Sequence, residues 1–260
     1  MRFQILAARL ALAALLLAVA AAAVAVVGVR AGLLTYKSGL TLMVPAVAMG
    51  LIALVCALAW LFRALKRNQG EARRIGLIAF FGALLFLWVP LHTLYTGLTS
   101  APVNDVTSDP EDPPAFAALA KRAPRMNSPV FDNSTQVSFR GETGTPGYIL
   151  HVFYFSWLTK PHAALSATTS NLPLVWFWRD FETVKRMGWN IVAHDEKAGR
   201  IEATASSFWF GQITDIVIRV RPAGTQGARV DVRAQSENGK QDFGRNLSLL
   251  KDFFTALLSP

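Results

Sequence analysis

Residues Ile75–Tyr95, IGLIAFFGALLFLWVPLHTLY, form an apolar run of 21 residues, and about 20 such residues suffice for a helix to cross a bilayer. A basic loop precedes this run, and an acidic, proline-rich segment follows it. The chain before it has the composition of membrane helices, and the chain after it has that of a water-soluble domain. The run therefore divides the sequence into a membrane region, residues 1–98, and a soluble part.

Two more apolar runs lie upstream, so we predict three transmembrane helices at about residues 5–29, 39–62 and 75–95. The first run also resembles a long signal peptide, with small residues around Ala20–Ala23. We favour an uncleaved helix, because the run continues past those alanines at full membrane-spanning length. The lipid bilayer is accordingly the first expected partner.

The charges beside these runs predict the orientation of the chain. The loop 63–74 carries five basic residues and one acid, whereas the turn 30–38 carries two basic residues. Short loops rich in Lys and Arg stay in the cytoplasm. We therefore expect a cytoplasmic amino terminus and a carboxy-terminal domain outside the cytoplasm.

The net charge of +9 and the pI near 10.1 would suit a nucleic-acid-binding protein. However, residues 1–98 hold nine basic residues and one acid, a balance of +8, and residues 99–260 hold 17 basic and 16 acidic residues, a balance of +1. The excess of positive charge therefore lies beside the membrane helices, where it sets their orientation, and we expect no nucleic-acid partner. The single cysteine, Cys56, excludes an intramolecular disulfide and a cysteine metal cluster.

The soluble part begins with an acidic, proline-rich linker, residues 99–114, which we expect to run extended without burying a core. The domain, residues 115–260, then shows an irregular segment at 122–145 followed by strand patterns and two amphipathic helices. Short connections favour an antiparallel sheet with one covered and one solvated face. We predict a membrane plus α+β protein with strands at 148–158, 189–193, 200–210, 213–221 and 229–235, and helices at 174–187 and 246–258 that cover the apolar face of the sheet. The last helix is expected to bury the stripe Leu247, Leu250, Phe254 and Leu257.

Three segments together resemble membrane-anchored bacterial members of the domain-of-unknown-function 1499 family. They are DVTSDPEDPPAFAALA (105–120), MGWNIVAHDEKAGRIEATASSFWFGQITDIVIRVRP (187–222) and ARVDVRAQSENGKQDFGRN (228–246). The resemblance implies a bacterial inner-membrane protein with an exported, periplasmic domain, and it implies no reaction. The sequence departs from the family pattern in a longer, more aromatic stretch at 137–178, and in Ile216, where a second acid often follows Asp215.

Three charged residues on the predicted strands are candidate ligand-binding residues. Asp215 could act as a general base or metal ligand, or simply pair with Arg219 on the same face. Arg219 and Arg233 could bind an anion through their guanidinium groups, or neutralise acids on neighbouring strands. Asp242 is most simply the N-cap of the last helix.

Two tryptophans complete the candidate set. The predicted apolar face of the first helix carries Leu174, Phe177, Trp178, Phe181 and Val184, so Trp176 lies off it. Trp176 and Trp209 could therefore touch lipid or line an apolar pocket.

The histidines of the soluble part are scattered over separate elements, and no nucleotide-binding loop or nucleophile elbow is present. We therefore assign no catalytic residue, metal site or cofactor, and we favour a protein without enzymatic activity.

Three functions remain open. The first is a non-enzymatic, membrane-tethered envelope module that binds a partner or serves cell-envelope organisation, and the second is a domain that binds lipid or a small apolar ligand. The third is an enzyme that uses Asp215 with a histidine or arginine. A filled core with an apolar surface patch would favour the first, and a cavity beneath the helices would favour the second.

Overall fold

The architecture is described from a computed structural model, which covers residues 2–64, 70–101, 103–121, 137–139, 142–144, 172–223, 227–237 and 242–259. The chain forms two compact units. The first comprises residues 1–95 together with the short stretch 208–211, and the second comprises residues 96–207 and 212–260.

Three long helices build the first unit: α1 (Arg2–Arg30), α2 (Tyr36–Ala64) and α3 (Gly70–Thr99). They contain candidate membrane spans at Leu6–Arg30, Tyr36–Phe62 and Arg73–Thr99, which confirms three helices long and apolar enough to cross a bilayer. Alanines pack at their contacts, for example Ala11, Ala57 and Ala79, while large apolar side chains point outward. That arrangement suits helices whose outer surface faces lipid.

The second unit contains a five-stranded antiparallel sheet in the order β1-β7-β6-β5-β4. Strands β2 and β3 form a separate hairpin in the segment that we expected to be irregular, so that expectation was wrong there. A 3-10 turn covers Leu119–Lys121. The remaining bounds are β1 (Asp105–Thr107), β2 (Val137–Phe139), β3 (Glu142–Gly144), α4 (Leu172–Arg186), β4 (Asn190–Asp195), β5 (Arg200–Ser206), β6 (Ile213–Ala223), β7 (Gly227–Ser236) and α5 (Arg245–Leu258).

Helices α4 and α5 cover one face of this sheet, as predicted. The predicted stripe of α5 is buried, and so is the alternating apolar set of the strands, such as Ile201, Ile218 and Val232. The rings of Trp189 and Phe253 stack at 5.8 Å between centroids inside this core. The α+β class is therefore confirmed, with the core between the helices and the sheet.

The buried face of α4 differs from the prediction. Trp176 and Phe177 point into the core, whereas Leu174 and Trp178 are 40% and 42% exposed. The first two turns of this helix are apolar all round, so spacing alone does not decide which stripe faces the sheet. The buried stripe also includes Asp180, which breaks the apolar pattern.

The segment 99–114, expected to bury nothing, takes part in the fold. Asp105–Thr107 pairs with β7 at the edge of the sheet, with Val106 opposite Ala234. Val106 is 1% exposed and belongs to the main core. The predicted strand at 148–158 lies outside the described residues.

Candidate functional site

Among the described residues of the domain, most of the buried charged side chains lie on the second face of the sheet, which we call the charged face. Side chains alternate between the two faces along each strand. Since Ile201, Ile216 and Val232 face the helices, their sequence neighbours face the other way. The residues on the charged face are Asp105 and Thr107 (β1), Glu202 and Thr204 (β5), Asp215, Val217, Arg219 and Arg221 (β6), and Arg229, Asp231, Arg233 and Gln235 (β7).

This face was predicted to be solvated, and that prediction was wrong. The segment after β1 folds back across it, so that Phe116 and Leu119 pack against Val217. Glu202 and Asp215 are each 1% exposed. A buried carboxylate needs hydrogen-bond or ion-pair partners. The alternation of residues along the strands does not show that the segment after β1 covers this face and supplies such partners.

Asp105 and Arg233 form a buried, bidentate ion pair between β1 and β7. The Nε and Nη2 atoms of Arg233 donate to the two carboxylate oxygens of Asp105 at 3.0 and 2.6 Å. Nη1 donates to the carbonyl of Pro114 at 3.3 Å, and the guanidinium lies 5.2 Å from the centroid of the Phe116 ring. Arg233, proposed from sequence as an anion binder, thus binds the protein's own carboxylate.

Arg219 belongs to a second group, the Arg–Asp cluster. Its Nη2 donates to Oδ2 of the cross-strand neighbour Asp231 at 3.0 Å. Asp109 Oδ2 lies 3.4 Å from Arg219, and Asp112 accepts from Arg221 at 2.5 Å. The cluster pairs three cations with three anions and therefore has no net formal charge; its members are Arg219, Arg221, Arg229, Asp109, Asp112 and Asp231.

The hydrogen bond from Arg221, together with the charge of Arg219, lowers the pKa of the Asp112 carboxyl below its usual value. Asp109 and Asp112 come from the proline-rich segment, DPEDPP, whereas the arginines come from β6 and β7. The cluster therefore fastens this segment to the sheet. The sequence signal was the presence of four prolines and four acids in residues 99–114, because prolines fix the backbone and carboxylates need cationic partners.

Glu202 holds the segment at a third point. Its carboxylate accepts the backbone N–H groups of Ala117, Ala118 and Leu119 at 2.9, 3.1 and 2.8 Å. Arg200 Nε lies 3.3 Å from the same carboxylate. A carboxylate at the start of a 3-10 turn satisfies amides that have no partner inside the turn.

Asp215 lies at the centre of the charged face. In the strand register it stands opposite Thr204 on β5 and Gln235 on β7, and Gln235 in turn stands opposite Asp105. The structure thus brings Asp215, Arg219 and Arg233 onto one face, as the sequence predicted, but under a covering segment.

The two candidate tryptophans are in other places. Trp176 is buried in the core on the opposite side of the sheet, and its ring lies 5.0 Å from the Arg179 guanidinium. Trp209 falls in the stretch 208–211 of the first unit and is 48% exposed.

A hydrogen-bond network surrounds the start of α5, and only its Asp242 member was anticipated from sequence. The N-cap of this helix is Gly244 and not Asp242 as predicted, but Asp242, two residues earlier, still accepts the backbone N–H groups of Gly244 and Asn246 at 2.9 and 2.8 Å. Burial outweighs these bonds and raises the pKa of the Asp242 carboxyl to about 6. Asn246 donates to the carbonyl of Asn104 at 2.6 Å and accepts from Thr214 at 3.2 Å.

Asp180 was also missed. It is fully buried on α4, and among the described residues neither carboxylate oxygen has a hydrogen-bond partner. Burial raises the pKa of its carboxyl well above the usual value, and only the nearby charge of Arg179 acts against this. The signal was an acid inside the apolar run VWFWRDF, a position where an unpaired charge is costly.

On the described part of the chain, no group of three or more His, Cys, Asp or Glu side chains is arranged to hold a metal ion. His151 and His162 lie outside the described residues. His194 is described, and its ring meets the edge of Phe181 at 5.1 Å.

The charged groups of this face act chemically as a clamp made of ion pairs and hydrogen bonds, which holds the segment 105–121 on the sheet.

A comparison with protein families also starts the domain at this segment, because a family model described as a protein of unknown function (DUF1499) matches residues 105–257. No curated protein matches the chain. The matched part starts at β1 and ends in α5, more than half of the chain, and the chain therefore belongs to the DUF1499 family.

Proposed function

We propose that this membrane protein is a non-enzymatic binding module of the cell envelope, anchored in the inner membrane with its soluble domain outside the cytoplasm. The observation that carries the proposal is an apolar patch on α4, in a domain whose charged face is occupied by its own ion pairs. We call the exposed side chains Leu174, Val175 and Trp178 the α4 patch.

The α4 patch has the features of a protein-binding surface. Its three side chains lie within two turns of one helix, and Trp178 contacts Phe181 edge to face at 5.4 Å between ring centroids. Phe181 is partly buried and packs against the core, so the exposed tryptophan is held by a neighbour that is itself fixed to the core. Interface hot spots are enriched in tryptophan, and a rigid aromatic anchor loses little entropy on binding.

A protein partner fits this geometry better than a small apolar ligand. The space between helices and sheet is filled by rings such as Trp189 and Phe253, whereas the apolar side chains of the α4 patch face outward. We therefore propose a partner with an apolar surface, reached in the same envelope compartment.

Site-specific photo-crosslinking in intact cells tests the partner. A photoreactive amino acid at Trp178 is expected to give a discrete crosslinked protein band, whereas the same group at Asp252, exposed on α5, is not. If the photoreactive group gave the same crosslinked bands at the two positions, the α4 patch would be excluded as the binding surface.

The orientation has its own test, which rests on the five basic residues of the loop 63–74. In a Cys56→Ser background, a cysteine at Lys197 should react with a membrane-impermeant maleimide in spheroplasts. A cysteine at Lys66 should react only after the membrane is permeabilised, and the reverse pattern would place the domain in the cytoplasm.

A further inference from the structure

The first unit contains, besides its helices, the stretch Phe208–Gly211 from the connection between β5 and β6. We call this stretch the aromatic loop. Three of its four residues are aromatic, and Phe208 and Trp209 are 80% and 48% exposed. Large exposed aromatics on a surface loop need a reason, because solvation of such surface is unfavourable.

The loop is bound to the ends of two membrane helices. Arg30, the last residue of α1, donates from Nη1 to the carbonyl of Phe208 at 2.6 Å. Tyr36, the first residue of α2, meets the Phe210 ring edge to face at 5.8 Å. The carbonyl and the inner ring of the loop are thus fixed where the candidate spans Leu6–Arg30 and Tyr36–Phe62 end and begin.

The geometry of the loop keeps its tip exposed. The rings of Phe208 and Trp209 contact each other edge to face at 5.0 Å. The loop is closed at its base, since the backbone N–H of Ser207 donates to the carbonyl of Gln212 at 2.8 Å, and Gln212 N–H donates to the Ser207 hydroxyl at 2.8 Å. Gly211 has a φ of 63°, which favours glycine in this tight turn.

We propose that the tip of the aromatic loop, Phe208 and Trp209, inserts into the headgroup–acyl boundary of the bilayer that holds the three helices. A span that ends at Arg30 places that arginine and Tyr36 at the depth where aromatic side chains are enriched. Continuity with the lipid-covered surface of the helices selects lipid, rather than a protein, as the partner of these two rings. The inference holds for either orientation of the chain and does not depend on the α4 patch.

The test uses the full chain in nanodiscs, with Cys56 replaced by Ser and one new cysteine carrying an environment-sensitive fluorophore. Labels are placed at Phe208 or at Trp209, two variants that each report on the tip. The matched control is Lys197, an exposed residue in the turn that precedes β5, whereas the loop follows β5. The seven residues of this strand span about 20 Å.

Lipids brominated in the acyl chain are expected to quench the labels at Phe208 and Trp209 several-fold more than the label at Lys197, and aqueous iodide is expected to quench in the reverse order. Because the Lys197 variant carries the same fluorophore, comparison with it corrects for any affinity of the fluorophore itself for lipid. Iodide quenching at both loop positions as strong as at Lys197, without quenching by brominated lipid, would overturn the proposal.

Discussion

Replacing Asp105 by Asn is expected to destabilise the soluble domain by about 3 kcal/mol, since removing one partner of a buried ion pair costs roughly 3–5 kcal/mol. The side chain of Arg233 is 3% exposed, so its charge would stay buried without the carboxylate. The lower end of the range applies, because Arg233 keeps the carbonyl of Pro114 and the ring of Phe116.

Urea unfolding of the full chain in detergent micelles measures this loss. Tryptophan fluorescence reports on the domain through Trp176 and Trp189, which are buried in its core. Comparing Asp105→Asn, Arg233→Met and the double variant gives the coupling energy of the pair, which we expect to be about 2 kcal/mol or more.

The control pair is Glu182 and Lys185 on α4, whose side chains are 62% and 51% exposed at an N–O distance of 2.9 Å. Exposed pairs of this kind contribute less than about 1 kcal/mol. A coupling energy for Asp105 and Arg233 no larger than that of the control pair would refute the idea that burial makes β1 an integral strand.

Three further predictions concern buried carboxyl groups. The pKa of Asp242 is about 6 in the folded domain, whereas its ordinary value is 3.8. Its contribution to the free energy of unfolding is therefore fully present below pH 4 and falls by about 3 kcal/mol as the pH rises through 6. Urea titrations of Asp242→Asn should show a flatter pH profile in this range. Asp180→Asn should stabilise the domain at pH 7, since its carboxyl has a raised pKa and the amide carries no charge, and the gain should vanish below about pH 4; a variant less stable than wild type at pH 7 would contradict this. Glu202→Ala removes the acceptor of three backbone amides, so it should lower the free energy of unfolding by about 3 kcal/mol or more. It should also accelerate amide hydrogen exchange at residues 117–119. Glu202→Gln keeps one acceptor oxygen and should therefore destabilise the domain less.

Patterns with a strong period were predictable. The three membrane helices, the strands β4 to β7 and the stripe of α5 follow from apolar runs, alternation and helical spacing, because each buries one side of a regular element. The place of Asp242 before the last helix predicted an interaction with the helix amides, and its carboxylate does accept the amide of Asn246, although the N-cap itself is Gly244.

The occupancy of the charged face could not be predicted in the same way. Alternation shows that Arg219 and Asp231 leave the core side, but not whether water or another segment covers them. That segment, 105–121, contributes its acids and backbone amides from about 80 to 130 residues away in sequence, and such pairings depend on the tertiary fold. The same limit applies to α4, whose apolar residues surround the first turns and leave the buried stripe undetermined.

The pairing of β1 with β7 has a mechanical consequence. β1 is the first strand after α3, and only residues 100–104 lie between them. Tension that is transmitted along the chain from α3 therefore reaches this strand first. Antiparallel hydrogen bonds lie perpendicular to the strands, and a load along β1 would shear its three register pairs together rather than open them one after another. The Asp105–Arg233 pair bears the same load, so this edge strand is the part of the sheet through which tension along the chain from α3 enters the domain.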